Sequence, residues 1–224
     1  MSSTGIFIIC TVPPLLLGLW AQLRVKRTFK RYSQVPTSNG MTGAQAAAAV
    51  LQSSGLQGVS IRPVSGRLSD HYDPRSRTLN LSEDVGQAAT VAALGVAAHE
   101  AGHAVQDAQG YKPMRIRQTL VPAATIGSQL WIFPAFLGLI IGSLGLVNIG
   151  LALFLAVVVF QLVTLPVEFD ASRRALVALE GNALLAPTEM DGARAVLRAA
   201  ALTYVAALAA SIGQLIYFFI ASRR

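Results

Sequence analysis

The chain alternates between long charge-free runs and segments of mixed polarity. Residues 1–23 carry no charged side chain. Residues 118–167 carry no Asp, Glu, Lys, Arg or His over 50 positions, and residues 199–222 are again free of charge. A helix needs about 20 apolar residues to cross the hydrocarbon of a bilayer. The first run therefore predicts one span, with Pro13-Pro14 kinking it. The middle run predicts two helices, about 120–143 and 149–167, joined by a turn at Gly145-Leu146-Val147-Asn148. The last run predicts a fourth span. Arg223 and Arg224 oppose the charge bias there, so that run also fits a re-entrant or interfacial segment.

Between the runs the pattern shortens. Residues 42–53 read as a short helix ending before Gly55. Val59 to Arg62, Arg67 to Tyr72 and Arg77 to Leu81 read as short strands. Asp73-Pro74-Arg75-Ser76 has the makings of a type I turn, with proline at its second position. An antiparallel meander is expected. A long helix should follow, N-capped by Ser82, with Glu83 and Asp84 at its positive end, running to Ala108 and closed by Gly110. Its charge-free stretch 85–98 is too short for a span and fits a buried helix. Residues 173–198 read as a solvated helical hairpin broken near Gly181-Asn182 and Pro187.

Composition sharpens this picture. Of 224 residues, 53% are hydrophobic and only 13% charged, against roughly 25% charged in soluble domains. The net charge is +7, but its placement argues against nucleic acid. Arg24, Lys26, Arg27, Lys30 and Arg31 follow the first apolar run, where the positive-inside rule puts cytoplasmic charge. Segments 24–117 and 168–198 hold 16 of the 18 Lys and Arg residues. A cleaved signal peptide has its basic residues before the apolar run. Here they come after it, so an uncleaved anchor with its N-terminus outside is expected. The division is then an anchor 1–23, a cytoplasmic part 24–117, a transmembrane hairpin 118–167, a cytoplasmic helical segment 168–198 and a C-terminal membrane helix 199–224. One cysteine, Cys10, allows neither an internal disulfide nor a cysteine metal site.

The candidate chemistry lies in His99-Glu100-Ala101-Gly102-His103. Two histidines at i, i+4 project from one helix face and can grip a tetrahedral zinc. Glu100 lies about 100° further round the helix. It can act on a water beside the metal without ligating the metal, as the catalytic base. Gly102 permits a neighbouring element to come close. A catalytic zinc needs a third protein ligand and one open position. The candidates are His71 and the carboxylates Glu168, Asp170 and Glu180. Glu168 is favoured because it follows the third apolar helix directly. His71, Tyr72 or Tyr204 could stabilise an oxyanion or contact substrate. The strand Arg77 to Leu81, or its neighbour, could bind an extended peptide by adding it as a further strand.

Three separated segments carry a resemblance: Leu68-Ser-Asp-His-Tyr-Asp-Pro-Arg-Ser-Arg, Ala97-Ala-His-Glu-Ala-Gly-His-Ala-Val-Gln and Leu165-Pro-Val-Glu-Phe-Asp-Ala-Ser-Arg-Arg. Together they resemble the YugP-type membrane neutral zinc metallopeptidases over nearly the whole chain. The resemblance implies a gluzincin arrangement, with His99, His103 and Glu168 on zinc and Glu100 as base. It also implies a bacterial inner-membrane setting. The expected fold is a mainly α membrane protein with a small α+β zinc-peptidase core, about four transmembrane helices and the meander. The expected function is a zinc-dependent endopeptidase at the cytoplasmic face, acting on peptides or proteins, membrane proteins included. The alternative is an inactive zinc-binding membrane scaffold. The chain is more distantly similar to the HtpX and CAAX-processing membrane peptidases. There an Asp four residues after the ligand Glu orients a zinc-binding His. Here that position is Ser172, and Asp170 at i+2 points to nearly the opposite side of a helix.

Overall fold

The computed structural model describes residues 3–221, with side chains described from Gly5. Met1, Ser2 and residues 222–224, including Arg223 and Arg224 of the charge argument, lie outside the described residues. The elements are α1 (Ser3–Tyr32), α2 (Gly43–Ser53), β1 (Ser60–Val64), β2 (His71–Asp73), β3 (Thr78–Ser82), α3 (Glu83–Gly86), α4 (Val91–Ala108), α5 (Lys112–Leu130), α6 (Ile132–Ile141), α7 (Leu144–Gly181) and α8 (Pro187–Ala221). The protein is mainly α with one small mixed sheet.

The chain divides into two compact units. One comprises residues 1–22, 113–166 and 202–224; the other comprises 23–112 and 167–201. In the first, three helices are long and apolar enough over part of their length to cross a membrane, namely α1, α7 and α8. The α5–α6 pair makes a fourth if counted as one broken span. The break is a bend of about 40° at Trp131. Pro134 lies just beyond it and has no N–H to offer the carbonyl of Leu130, which explains the bend. The expected turn at 145–148 lies instead at Gly142-Ser143, where Gly142 takes a left-handed φ of 70°. So α7 begins at Leu144 rather than 149. It also runs on through Pro166, past the expected end near 167, to Gly181. Trp131 stacks 4.5 Å from Phe154 and 5.2 Å from Phe218, and these rings form a small apolar cluster with Ala135, Val158 and Leu208. Gly150 lets α6 approach: a Cβ there would stand 2.6 Å from that of Ala135.

The second unit has a core of small and aliphatic side chains from α2, β3, α4, α7 and α8, including Val50, Leu51, Leu79, Leu81, Leu94, Ala97, Ala101, Leu179 and Leu197. α2 forms as its sequence predicts. Thr42 caps it by accepting from Gln45 N–H, while the Gln45 side chain accepts from the Thr42 N–H, a reciprocal capping box.

The sheet corrects the expected meander. Its order is β1-β3-β2: β2 pairs antiparallel with β3, but β1 pairs with β3 in parallel. The most buried strand, β3, takes the centre and buries Leu79 and Leu81. β1 carries Pro63, which cannot donate to a ladder on both sides and so suits an edge. The β2–β3 turn lies where expected, but β3 starts at Thr78, one residue later than expected, because Arg77 takes a left-handed φ of 50°. Asp73 accepts from Arg75 N–H at 2.9 Å and from the Ser76 hydroxyl at 2.7 Å.

The expected long helix from Ser82 is two helices. Ser82 is indeed the N-cap of α3, but its hydroxyl and N–H are drawn to Asp70 at 3.0 and 2.7 Å, and no side-chain cap bond forms. After α3 the backbone extends, and Thr90 opens α4 by accepting from Ala93 N–H. Thr90 also forms a bridge with Pro36. α4 closes at Gly110, whose φ is +64°. Gly110 N–H donates to Asp107 and Tyr111 N–H to Gln106, the paired bonds of a Schellman stop.

Candidate metal centre

α4 carries His99 and His103 one turn apart, with ring centroids 4.8 Å from each other. α7 supplies Glu168, two residues after Pro166. The two helices come close because of Gly102, between the histidines. A Cβ there would stand 2.8 Å from the carbonyl oxygen of Ala171, a distance no real side chain tolerates. That contact brings the carboxylate home. Glu168 Oε2 lies 3.2 Å from His99 Nε2 and 3.5 Å from His103 Nε2. The site is sheltered: Glu168 and His103 are buried and His99 nearly so.

The outer nitrogens of both rings are occupied. Ser172 Oγ lies 3.1 Å from His99 Nδ1. Gln106 Oε1 lies 3.0 Å from His103 Nδ1. The Gln106 amide is fixed, because its Nε2 donates to the Val167 carbonyl at 2.8 Å and to Asp170 at 3.0 Å. Its oxygen must therefore face His103 as an acceptor, which places a proton on His103 Nδ1. The Nε2 lone pair is then left facing a carboxylate. Two acceptors at such a distance need a cation between them.

A divalent metal fits that need. His99, His103 and Glu168 offer ligand atoms that all lie within 4.8 Å of one another. Ligands about 2.0–2.2 Å from a tetrahedral zinc stand about 3.4 Å apart, close to the two separations above. A proton is the weaker solution to the same problem. Burial by itself would lower the basicity of His103, but the hydrogen bond with Glu168 and the charges of Glu100 and Glu168 outweigh it, holding its proton above the ordinary 6.5. Burial by itself would raise the Glu168 carboxyl; hydrogen bonds and charge from the two histidines hold it well below the usual range.

Glu100 follows His99 on α4, and its Oε2 accepts from the backbone N–H of Tyr72 at 3.2 Å. Its burial pushes the carboxyl up, against the lowering effect of His99 and His103. A carboxylate raised in this way is a better proton acceptor near neutral pH. The Tyr72 hydroxyl donates to Asp107 at 3.1 Å, which ties β2 to α4.

The remaining sequence candidates are placed as follows. His71 sits on β2, exposed, with Nδ1 2.8 Å from the Ser69 carbonyl and Nε2 3.2 Å from Asn80 Nδ2. Asp170 does not touch a histidine. It pairs with Arg173 and Arg174 and steadies Gln106. Burial opposes its ionisation, but the Arg174 hydrogen bond leads the interactions that hold it below 3.8. The position four residues after Glu168 does orient a histidine, through a serine hydroxyl. Gln106 is the partner sequence reasoning missed. The signal was available: it is i+3 from His103 and i+7 from His99, a further polar residue on the face that carries both histidines.

His103 and Glu168, both buried, and His99, partly buried, turn metal-ligating atoms towards one point on a mainly helical protein with three to four candidate membrane helices. The family model described as "Putative neutral zinc metallopeptidase" matches residues 7–223, and the chain belongs to that family. It is 42% identical over 213 residues, 95% of each chain, to "Putative membrane protease YugP" of Bacillus subtilis (strain 168). No solved structure matches.

Proposed function

We propose that this protein is a zinc-dependent endopeptidase, with His99 Nε2, His103 Nε2 and Glu168 holding the metal and Glu100 as its general base. The observation that carries the proposal is the arrangement of lone pairs. Both outer ring nitrogens are bonded, and the inner ones face a buried, ionised carboxylate. Zinc in such a site would polarise a peptide carbonyl and acidify water.

The chain's own residues supply the rest. Glu100 accepts a proton from the attacking water and delivers it to the leaving amine. The Tyr72 N–H holds one Glu100 oxygen and leaves the other for that water. β2 is an edge strand, and the Tyr72 N–H is turned away from β3 towards Glu100. An extended peptide laid along that edge would bring its backbone to the base. His71, one residue before Tyr72, is read as a substrate contact rather than a ligand.

Three protein ligands leave a tetrahedral zinc one open position, which a structural zinc does not keep. Among the described residues no fourth His, Cys or carboxylate joins the cluster. That supports an active enzyme over an inert scaffold. The charge distribution supports several bilayer crossings of a bacterial inner membrane, with segments 24–117 and 168–198 on the cytoplasmic side. The substrates are then peptides or proteins, membrane proteins included.

Zinc content and casein cleavage of the purified wild type and Glu100→Gln test the reading. We expect equal zinc and cleavage reduced by several orders of magnitude. Unchanged cleavage in the variant would refute Glu100 as base, and wild type that binds no zinc would refute the metal centre.

A further inference from the structure

The second unit has a groove of about 800 Å³ with no part in the chemistry above, running between the last turns of α1, the loop before β2 and α3. Its wall is largely apolar, from Phe29 and Leu68, and it carries Lys26, Lys30, Arg67 and Asp84. Arg67 and Asp84 satisfy each other at 3.0 Å. Lys26 and Lys30 are one helical turn apart on the same face of α1. Among the described residues neither has a hydrogen bond or ion pair. The groove thus presents two unpaired ammonium groups over an apolar floor.

Leu68 makes this arrangement less casual. It is non-glycine, yet its φ is 55°, a left-handed conformation that is unfavourable for a leucine. Nearly half its surface, 49%, is open to solvent. The loop accepts strain to hold an apolar side chain outward at the groove. An inorganic anion would gain nothing from that wall; an amphiphile with an anionic head would. α1 also says where such a molecule comes from. Lys26 is three residues past the charge-free residues 1–23, about 4.5 Å along the helix of a candidate membrane span.

We propose that this groove is a binding site for one anionic phospholipid, with its phosphate between Lys26 and Lys30 and part of its glycerol and acyl chains against Phe29 and Leu68. The site is independent of the peptidase reading. It differs from general attraction of a basic segment to a membrane, because Arg27 and Arg31, on the same turns of α1, do not line the groove.

That difference is the test. Full-length protein in detergent is mixed with equal dioleoylphosphatidylglycerol and dioleoylphosphatidylcholine, and bound lipid is counted by native mass spectrometry. Wild type should retain the anionic lipid with a preference of about tenfold or more, on roughly 1 kcal/mol per basic residue. Lys26→Gln/Lys30→Gln should lose that preference, and Arg27→Gln/Arg31→Gln, with the same charge removed, should keep it. Equal loss in both variants, or loss in neither, would overturn the proposal. Leu68→Asn suits the left-handed backbone and should weaken retention of the lipid at unchanged charge. Displacement of the lipid by inorganic phosphate at equal concentration would show a simple phosphate site and also refute it.

Discussion

Ser172 Oγ stands 3.1 Å from Nδ1 of His99, one helical turn beyond Glu168 on α7. One helix therefore presents both a candidate ligand and the partner of another. Partners of this kind fix the ring orientation of a metal-binding histidine, and their loss commonly costs 10–100-fold in affinity. Ser172→Ala should weaken zinc binding by about tenfold with little effect on folding, since Ser172 is only half-buried. Competition with a chromophoric chelator measures this. Affinity equal to wild type would mean the hydroxyl does not orient the ring.

Gln106 should matter more. It is fully buried, and its amide serves His103, Val167 and Asp170 at once. Gln106→Leu keeps the bulk but leaves the His103 Nδ1 without its acceptor. We expect zinc affinity to fall by about 10–100-fold and stability by about 1–3 kcal/mol. Thermal unfolding with and without zinc separates the two effects. A variant as stable and as tightly zinc-bound as wild type would contradict the relay.

Gly102→Ala tests the close approach of the helices. In an isolated helix the change stabilises by about 1 kcal/mol. Here the new methyl would meet the Ala171 carbonyl at 2.8 Å, forcing α4 and α7 apart at the level of the ligands. We expect a lower melting temperature and at least tenfold weaker zinc binding. A stabilised variant with full zinc affinity would show that the helices have slack.

The cluster should release zinc on mild acidification. Ligands must be deprotonated to bind metal. In the metal-free state the proton affinity of His103 is raised, so protons compete from above its ordinary 6.5 and more strongly as pH falls. Glu168 is held low and stays ionised through that range. Apparent zinc affinity, measured by chelator competition between about pH 8 and about pH 5, should decline as pH falls through the raised His103 range. Affinity independent of pH across that range would place the metal elsewhere.

The legible parts of the sequence were the local ones. A four-residue repeat of histidine on a helix fixes two side chains on one face whatever the fold. An acid immediately after an apolar helix is conspicuous in a chain this poor in charge. The short helix over 42–53 and the turn after Asp73 were likewise written in neighbouring residues. What was not legible depended on distant partners. Ser82 looked like the cap of a long helix, but Asp70 takes its hydroxyl and N–H, and Thr90 opens the next helix instead. β1 was expected antiparallel, because strand alternation does not disclose which strand will be central. Asp170 looked misplaced at i+2. Its connection to His103 runs through a glutamine 64 positions earlier, which no spacing rule reveals.

His99 and Glu168 lie 69 positions apart in the chain, with an entire apolar stretch between them. With Glu168 as third ligand, a ribosome making this protein exposes the histidines and the base long before the last donor exists. If the protein is the proposed peptidase, the nascent chain could not cut its neighbours during synthesis. Competence arrives only once the hydrophobic stretch and the residues just beyond it have been made, so insertion itself would time the onset of proteolysis.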